Sequence, residues 1–215
     1  MTANALAPRA LYEEVAELLR QRIFEHDLKP GSWIDELKIA EAYGISRTPL
    51  REALKVLAAE GLVTMKVRRG AYVTEVSEND LEDVYHLLGL LESDAAAVVA
   101  RKATDEQMLK LQALHDTLEQ SVQPEQVNRE QFFIINEEFH MLLLEIANNR
   151  WRNQVVSDLR KVMKLHRHDS LLKSGRVEAS LQEHRGLMTA LLARDPELSQ
   201  QRMLDHFKFG LKAAS

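Results

Sequence analysis

The 215-residue chain contains no cysteine. Disulfides, thiolate metal sites and cysteine nucleophiles are thereby excluded. Glycine and proline are also sparse, at 8 and 5, which favours helices over a turn-rich sheet protein. No apolar run approaches the roughly 18 residues needed to span a bilayer, so no membrane partner is expected. The opening MTANALAPRALYEE lacks the charged-then-apolar layout of a signal peptide. A cytoplasmic location is the resulting expectation. Hydrophobic residues make up 45% and charged residues 28%, which argues against wholesale disorder.

A general excess of positive charge is missing too, since the net charge is −5. Its distribution matters more than its total. Residues 1–76 hold 11 basic and 11 acidic residues, whereas the remainder holds 17 and 22. Within 43–74, Arg47, Arg51, Lys55, Lys66, Arg68 and Arg69 face only Glu52 and Glu60. Phosphate attraction is local and is screened over about 10 Å. This segment can therefore meet nucleic acid although the whole chain is acidic.

The spacing predicts a mainly α protein with a border near residues 75–79. A helix is expected over 10–24, from Leu11, Val15, Leu18, Leu19 and Ile23. Pro30-Gly31 breaks it. A short second helix opens at Asp35 and ends at Gly44. Ser46 then stands as N-cap of a third helix reaching Gly61, with Pro49 in its first turn. Residues 62–67 and 71–74 read as two short strands, with Arg68-Arg69-Gly70 as a tight hairpin tip. Beyond Ser77 a bundle of about six helices is expected, near 78–102, 105–120, 125–147, 150–171, 176–193 and 196–213. Ser77, the Thr104-x-x-Gln107 capping box, Pro124, Asn148-Asn149, Gly175 and Asp195-Pro196 punctuate it. Two domains follow, 1–76 and 77–215. Trp33 and Trp151 read as packing anchors, and His26, His86 and His115 as ordinary residues.

Two helices joined by a glycine turn and followed by a basic hairpin describe a winged helix-turn-helix. Ile39, Tyr43, Ile45, Leu50 and Ala53 are expected to bury between the helices. Arg47, Thr48 and Arg51 then project from the start of the third helix, the end that enters a major groove. Arginine can pair both acceptors of guanine, and threonine can meet a phosphate or a thymine methyl. Arg68 and Arg69 can reach the adjacent minor groove or backbone, and Lys38 a phosphate. An ordinary helix pair with a solvated basic face is the competing reading.

The sequence GISRTPLREALKVLAAEGLV, followed by RRGAYV, strongly resembles the GntR family of bacterial transcription regulators. The resemblance spans residues 10–76. It implies that Arg47, Thr48 and Arg51 read an operator and that Arg69 and Gly70 form the wing tip. It also implies a homodimer on a pseudo-palindromic double-stranded site, since paired half-sites match a two-fold protein.

Histidines carry the second constellation. Phe132, Ile135, Phe139, Leu142 and Ile146 form the main apolar stripe of the helix over 125–147. Asn136 and His140 lie one turn apart beside it. His184 shares a face with Leu181, Met188 and Leu191, and His206 with Met203, Phe207 and Gly210. A bundle can converge three inward histidines on one point, where imidazole suits a divalent transition metal. The other reading is three hydrogen-bonded core histidines.

NEEFH (136–140), NNRW (148–151), EHRGLMTALLARD (183–195) and MLDHF (203–207) resemble the helical effector domain of the FCD subfamily. Many members bind a divalent metal through one aspartate and three histidines. The resemblance places Asn136 at the aspartate and His140, His184 and His206 at the histidines. Asparagine offers a neutral oxygen, so the set loses one negative charge. Three imidazoles still suit zinc or nickel, with manganese or iron as further candidates. Relatives that bind organic acids often carry an arginine one turn before the glutamate matching Glu92. Leu88 stands there in this chain, and Arg160 and His166 are the candidate replacements for holding an organic-acid effector.

The expected function is a ligand-responsive, sequence-specific transcription regulator, a repressor released by a small-molecule effector, and not an enzyme. The alternatives are a metal-dependent hydrolase fused to a DNA-binding module and an architectural DNA binder. Against the hydrolase, Glu137 and Glu138 lie off the His140 face.

Overall fold

A computed structural model describes residues 11–123, 126–170 and 175–214, with the backbone alone at 123, 126, 127 and 166–170. The chain divides into two compact units between Val76 and Ser77.

The first unit runs α1 (Leu11–Phe24), α2 (Glu36–Tyr43), α3 (Arg47–Ala59), β1 (Val63–Lys66) and β2 (Gly70–Val73). Helix α1 packs on α3, burying Leu19 and Ile23 with Leu50, Leu54 and Leu57. Removing these side chains from water supplies most of the unit's stability, at about 25 cal/mol per Å² of apolar surface. Asp35 caps α2 by accepting from the Leu37 and Lys38 amides, both at 3.1 Å. Gly44 closes α2 with φ of 62°, a left-handed conformation in which a side chain costs energy. Ser46 stands at the start of α3 in an extended conformation but makes no side-chain capping bond. Tyr43 and Ile45 are half-buried, short of full burial. They lie at the turn between α2 and α3, where one side stays open to solvent. Strands β1 and β2 pair antiparallel from Val63–Val73 to Lys66–Gly70.

The second unit holds α4 (Glu78–Lys102), α5 (Asp105–Gln120), α6 (Arg129–Ala147), α7 (Arg150–Ser170), α8 (Arg176–Leu192) and α9 (Pro196–Ala214). Helix α4 packs against α6, α7, α8 and α9. Its buried residues Leu81, Leu88, Glu92, Ala96 and Val99 repeat at helical spacing. Ser77–Asp80 and Thr104–Gln107 form reciprocal capping boxes on α4 and α5. Among the described residues, the start of α6 differs from expectation. Strand β3 (Val122–Gln123) pairs there with β4 (Gln126–Val127), which takes the place of the expected first turn of helix. Asn128 then starts α6 by accepting from the Gln131 amide at 3.0 Å. Pro124 lies outside the described residues.

The buried face of α6 is also rotated from the expected stripe. Phe132, Ile135, Asn136, Phe139, His140, Leu143 and Leu144 are buried, whereas Leu142 and Ile146 are half-buried. The tryptophans are not core anchors: Trp33 is 55% and Trp151 69% exposed. Trp33 forms a backbone bridge with Tyr72, and Trp151 carries Arg150 over its ring at 4.4 Å.

Candidate functional site: a basic recognition face and a buried histidine cluster

In the first unit, Arg47, Thr48 and Arg51 are exposed on the first two turns of α3, and Lys38 is exposed on α2. Arg68 and Arg69 are exposed at the hairpin tip. The Arg69 amide donates to the Lys66 carbonyl at 3.0 Å and closes the turn. Gly70 has φ of 89°, and a Cβ there would sit 3.1 Å from Trp33 Nε1. The left-handed backbone favours glycine, and a Cβ would crowd the Trp33 ring. Apart from the half-buried Gly70, each of the expected reading residues is open to solvent. Sequence reasoning missed Glu36, whose Oε2 accepts from Arg51 Nε at 2.9 Å and Arg47 Nη2 at 3.3 Å.

In the second unit, His140 on α6, His184 on α8 and His206 on α9 converge. One ring nitrogen from each lies within 4.8 Å of the others. Their ring centroids are separated by 5.2, 5.2 and 4.8 Å. Two of the rings are oriented by carboxylates. His140 Nδ1 lies 2.7 Å from Glu92 Oε2, and His206 Nδ1 lies 2.7 Å from Glu183 Oε2. A carboxylate on one ring nitrogen fixes the ring and its tautomer, leaving the other nitrogen to bind. His184 differs, because neither of its ring nitrogens has a hydrogen-bond partner among the described residues. Asn136 Oδ1 is buried without a partner in the same way. Orphaned buried donors and acceptors cost free energy and call for an explanation.

Each glutamate is shared with an arginine. Arg160 on α7 donates Nε to Glu92 Oε1 and Nη2 to Glu92 Oε2, both at 2.8 Å. Its Nη1 reaches Glu137 at 3.1 Å. Burial opposes the Arg160 charge, but Glu92 and Glu137 outweigh it and keep the guanidinium charged. Arg160 is thus an interhelical ion-pair residue, bonded to two glutamates. Arg176 holds Glu183 at 2.7 and 3.0 Å. Burial raises the Glu183 carboxyl, but His206 and Arg176 prevail and lower it. For His184, burial first, and then the charges of His206, His140, His115 and Arg160, hold the imidazole well below its ordinary pKa. A neutral imidazole is the form that binds metal.

A cavity opens beside the cluster, lined by Asn136, His140, His206, Arg160, Arg176 and Ser180, with walls from Tyr85, Phe132, Phe133 and Phe207. His184 is packed 5.0 Å from Phe139 and does not line it. Leu88 is fully buried one turn before Glu92. The arginine that pairs Glu92 comes from α7 instead. The side chain of His166 lies outside the described residues. His115, read as ordinary, is buried, and neither ring nitrogen has a hydrogen-bond partner among the described residues.

The two units match two known families. Residues 11–73 match the bacterial regulatory proteins of the gntR family, and residues 83–209 match the FCD domain. The chain belongs to the GntR family of regulators that carry an FCD domain. It is a DNA-binding transcription regulator. It is 27% identical over 200 residues to an uncharacterized HTH-type transcriptional regulator, YdhC, of Bacillus subtilis, covering 93% of this chain and 89% of that protein. It is 26% identical over 197 residues to the HTH-type transcriptional repressor RspR of Escherichia coli, covering 91% and 85%. Among solved structures, Escherichia coli McbR/YncC has the same fold, with a TM-score of 0.79 at 22% identity over 96% of this chain and 98% of that one. The winged helix-turn-helix followed by a helical domain agrees with the sequence reading, apart from the short β3–β4 pair.

Proposed function

We propose that this regulator binds a pseudo-palindromic operator through α3 and the wing, and that a small molecule in the helical unit sets its affinity. The observation that carries the second half is the pair of orphaned polar groups, His184 and Asn136 Oδ1, beside two carboxylate-oriented histidines. That donor set fits a divalent transition metal. Asn136, His140, His184 and His206 would hold the ion, and the imidazole-rich set suits zinc or nickel, with manganese or iron as further candidates. Once bound, the ion would supply an electrophilic centre for a chelating ligand. Glu92 and Glu183 hold the His140 and His206 rings in register. Phe132, Phe133 and Phe207 exclude water from one side of the cavity.

Arg47, Thr48 and Arg51 read bases, Arg68, Arg69 and Gly70 meet the adjacent groove or backbone, and Lys38 contacts phosphate in this account. By likeness to RspR, named a repressor, the proposed action is repression relieved by the effector. An organic acid fits the proposed ion together with Arg160 and Arg176, which both line the cavity and keep N–H groups beyond their ion pairs. A hydrolase is disfavoured, because among the described residues no carboxylate lines the cavity to serve as general base.

The test titrates full-length protein on a duplex selected from a randomised pool, first with zinc alone and then with a panel of hydroxy and dicarboxylic acids. One class of acid is expected to change affinity ten- to hundredfold, about 1.4–2.8 kcal/mol of coupling. His206→Ala should abolish the response and retain DNA binding. A response unchanged in that variant overturns the proposed pocket.

A further inference from the structure

We infer that Glu36 positions Arg51 to read a guanine and withholds both α3 arginines from the phosphate backbone. This rests on the proposed reading of α3 as the recognition helix. Glu36 is the first residue of α2, in a turn fixed by the two Asp35 capping bonds. The Gly44 turn brings the start of α3 back beside it. One carboxylate oxygen, Oε2, then serves both arginines. The Glu36 side chain is 15% exposed, whereas Arg47 is 49% and Arg51 55% exposed. The carboxylate lies beneath and the guanidiniums lie above it, open to a partner.

The nitrogens used separate the two arginines. Forked pairing to guanine O6 and N7 takes two N–H groups from one edge of a guanidinium. Arg51 is held through Nε, which leaves Nη1 and Nη2 together as an intact terminal fork. Arg47 is held through Nη2 at the longer 3.3 Å, which takes one of that nitrogen's two N–H groups and ties the terminal fork itself to Glu36. Arg51 is therefore the freer forked base reader, and Arg47 the more constrained one.

Charge supplies the second half. Non-specific affinity comes from phosphate neutralisation by lysine and arginine. One carboxylate between two guanidiniums offsets part of that attraction. A base edge, in contrast, rewards an aligned hydrogen-bond fork. Glu36 thus trades general affinity for discrimination.

The experiment uses the full-length chain, the duplex that the wild type selects from a randomised pool, and a random-sequence duplex as competitor. Glu36→Gln keeps the volume and removes the charge. It is expected to raise affinity for random duplex, steepen the salt dependence and lower the preference for the selected duplex. Arg51→Lys is expected to lose roughly five- to 150-fold of the preference at one G·C pair per half-site, the value of one forked pair. Arg47→Lys should lose less at that pair. Equal gains on selected and random duplex in Glu36→Gln overturn the positioning role, because the carboxylate would then only repel DNA. An equal or larger loss in Arg47→Lys overturns the assignment of Arg51. Full discrimination in both Arg47→Ala and Arg51→Ala would instead sink the recognition-helix reading itself. Arg51→Lys stands alone should Glu36→Gln fail to fold, which circular dichroism reads directly.

Discussion

Arg160 and Glu92 are buried together, and removing Arg160 leaves the buried Glu92 carboxylate with only His140 beside it. Breaking a buried pair in this way costs about 3–5 kcal/mol. Arg160→Ala is expected to lower unfolding stability by that amount in urea, and Arg160→Met with Glu92→Leu to recover much of it. A loss under about 1 kcal/mol in the single variant would show that water reaches Glu92. The histidines of this site were legible because inward positions repeat along each helix. Their partners were harder to see, since His140 and Glu92 are 48 residues apart and Arg160 and Glu92 are 68 apart. A signal for Glu92 was nevertheless present. It falls on the buried stripe of Leu81, Leu88 and Val99, where an acid requires a partner. The tryptophans were misread because aromatic identity does not say which side of a helix or strand meets solvent. The Glu36 contacts with Arg47 and Arg51 were missed because they depend on the turn that folds α3 back beside α2.

At the scale of elements, local chemistry wrote most boundaries into the chain. The α4 and α5 starts follow from the Ser77 and Thr104 capping boxes, and the α2 end follows from Gly44. These signals act within three or four residues, so sequence alone carries them. The start of α6 escaped the same reasoning. The pairing of Val122 with Val127 is a local hairpin that takes residues 126–127 out of helix, and Asn128 then sets the start. The rotation of the buried α6 face has a tertiary origin. Phe139 meets His184 and His115, so the neighbours of α6 select which of two adjacent stripes is covered.

For the whole molecule, the proposed two-fold operator calls for two copies of the chain. Leu87 and Leu90 on α4 and Trp151 and Val155 on α7 are exposed, on helices that pack against each other. Such apolar surface is the material of a subunit interface. Light scattering is expected to give twice the 24.6 kDa chain mass, and a single-chain mass would contradict the dimer. The two halves of the account meet at the histidine cluster, because control of DNA binding is assigned to a site built from His140, His184, His206 and Asn136. The most direct measurement is the metal content, by mass spectrometry, of untagged protein beside His184→Ala. Near one divalent transition metal per chain, lost in the variant, is the predicted result. An absence of metal, with a melting temperature unmoved by zinc, nickel or manganese, would contradict it and leave the three histidines as polar walls of a metal-free pocket.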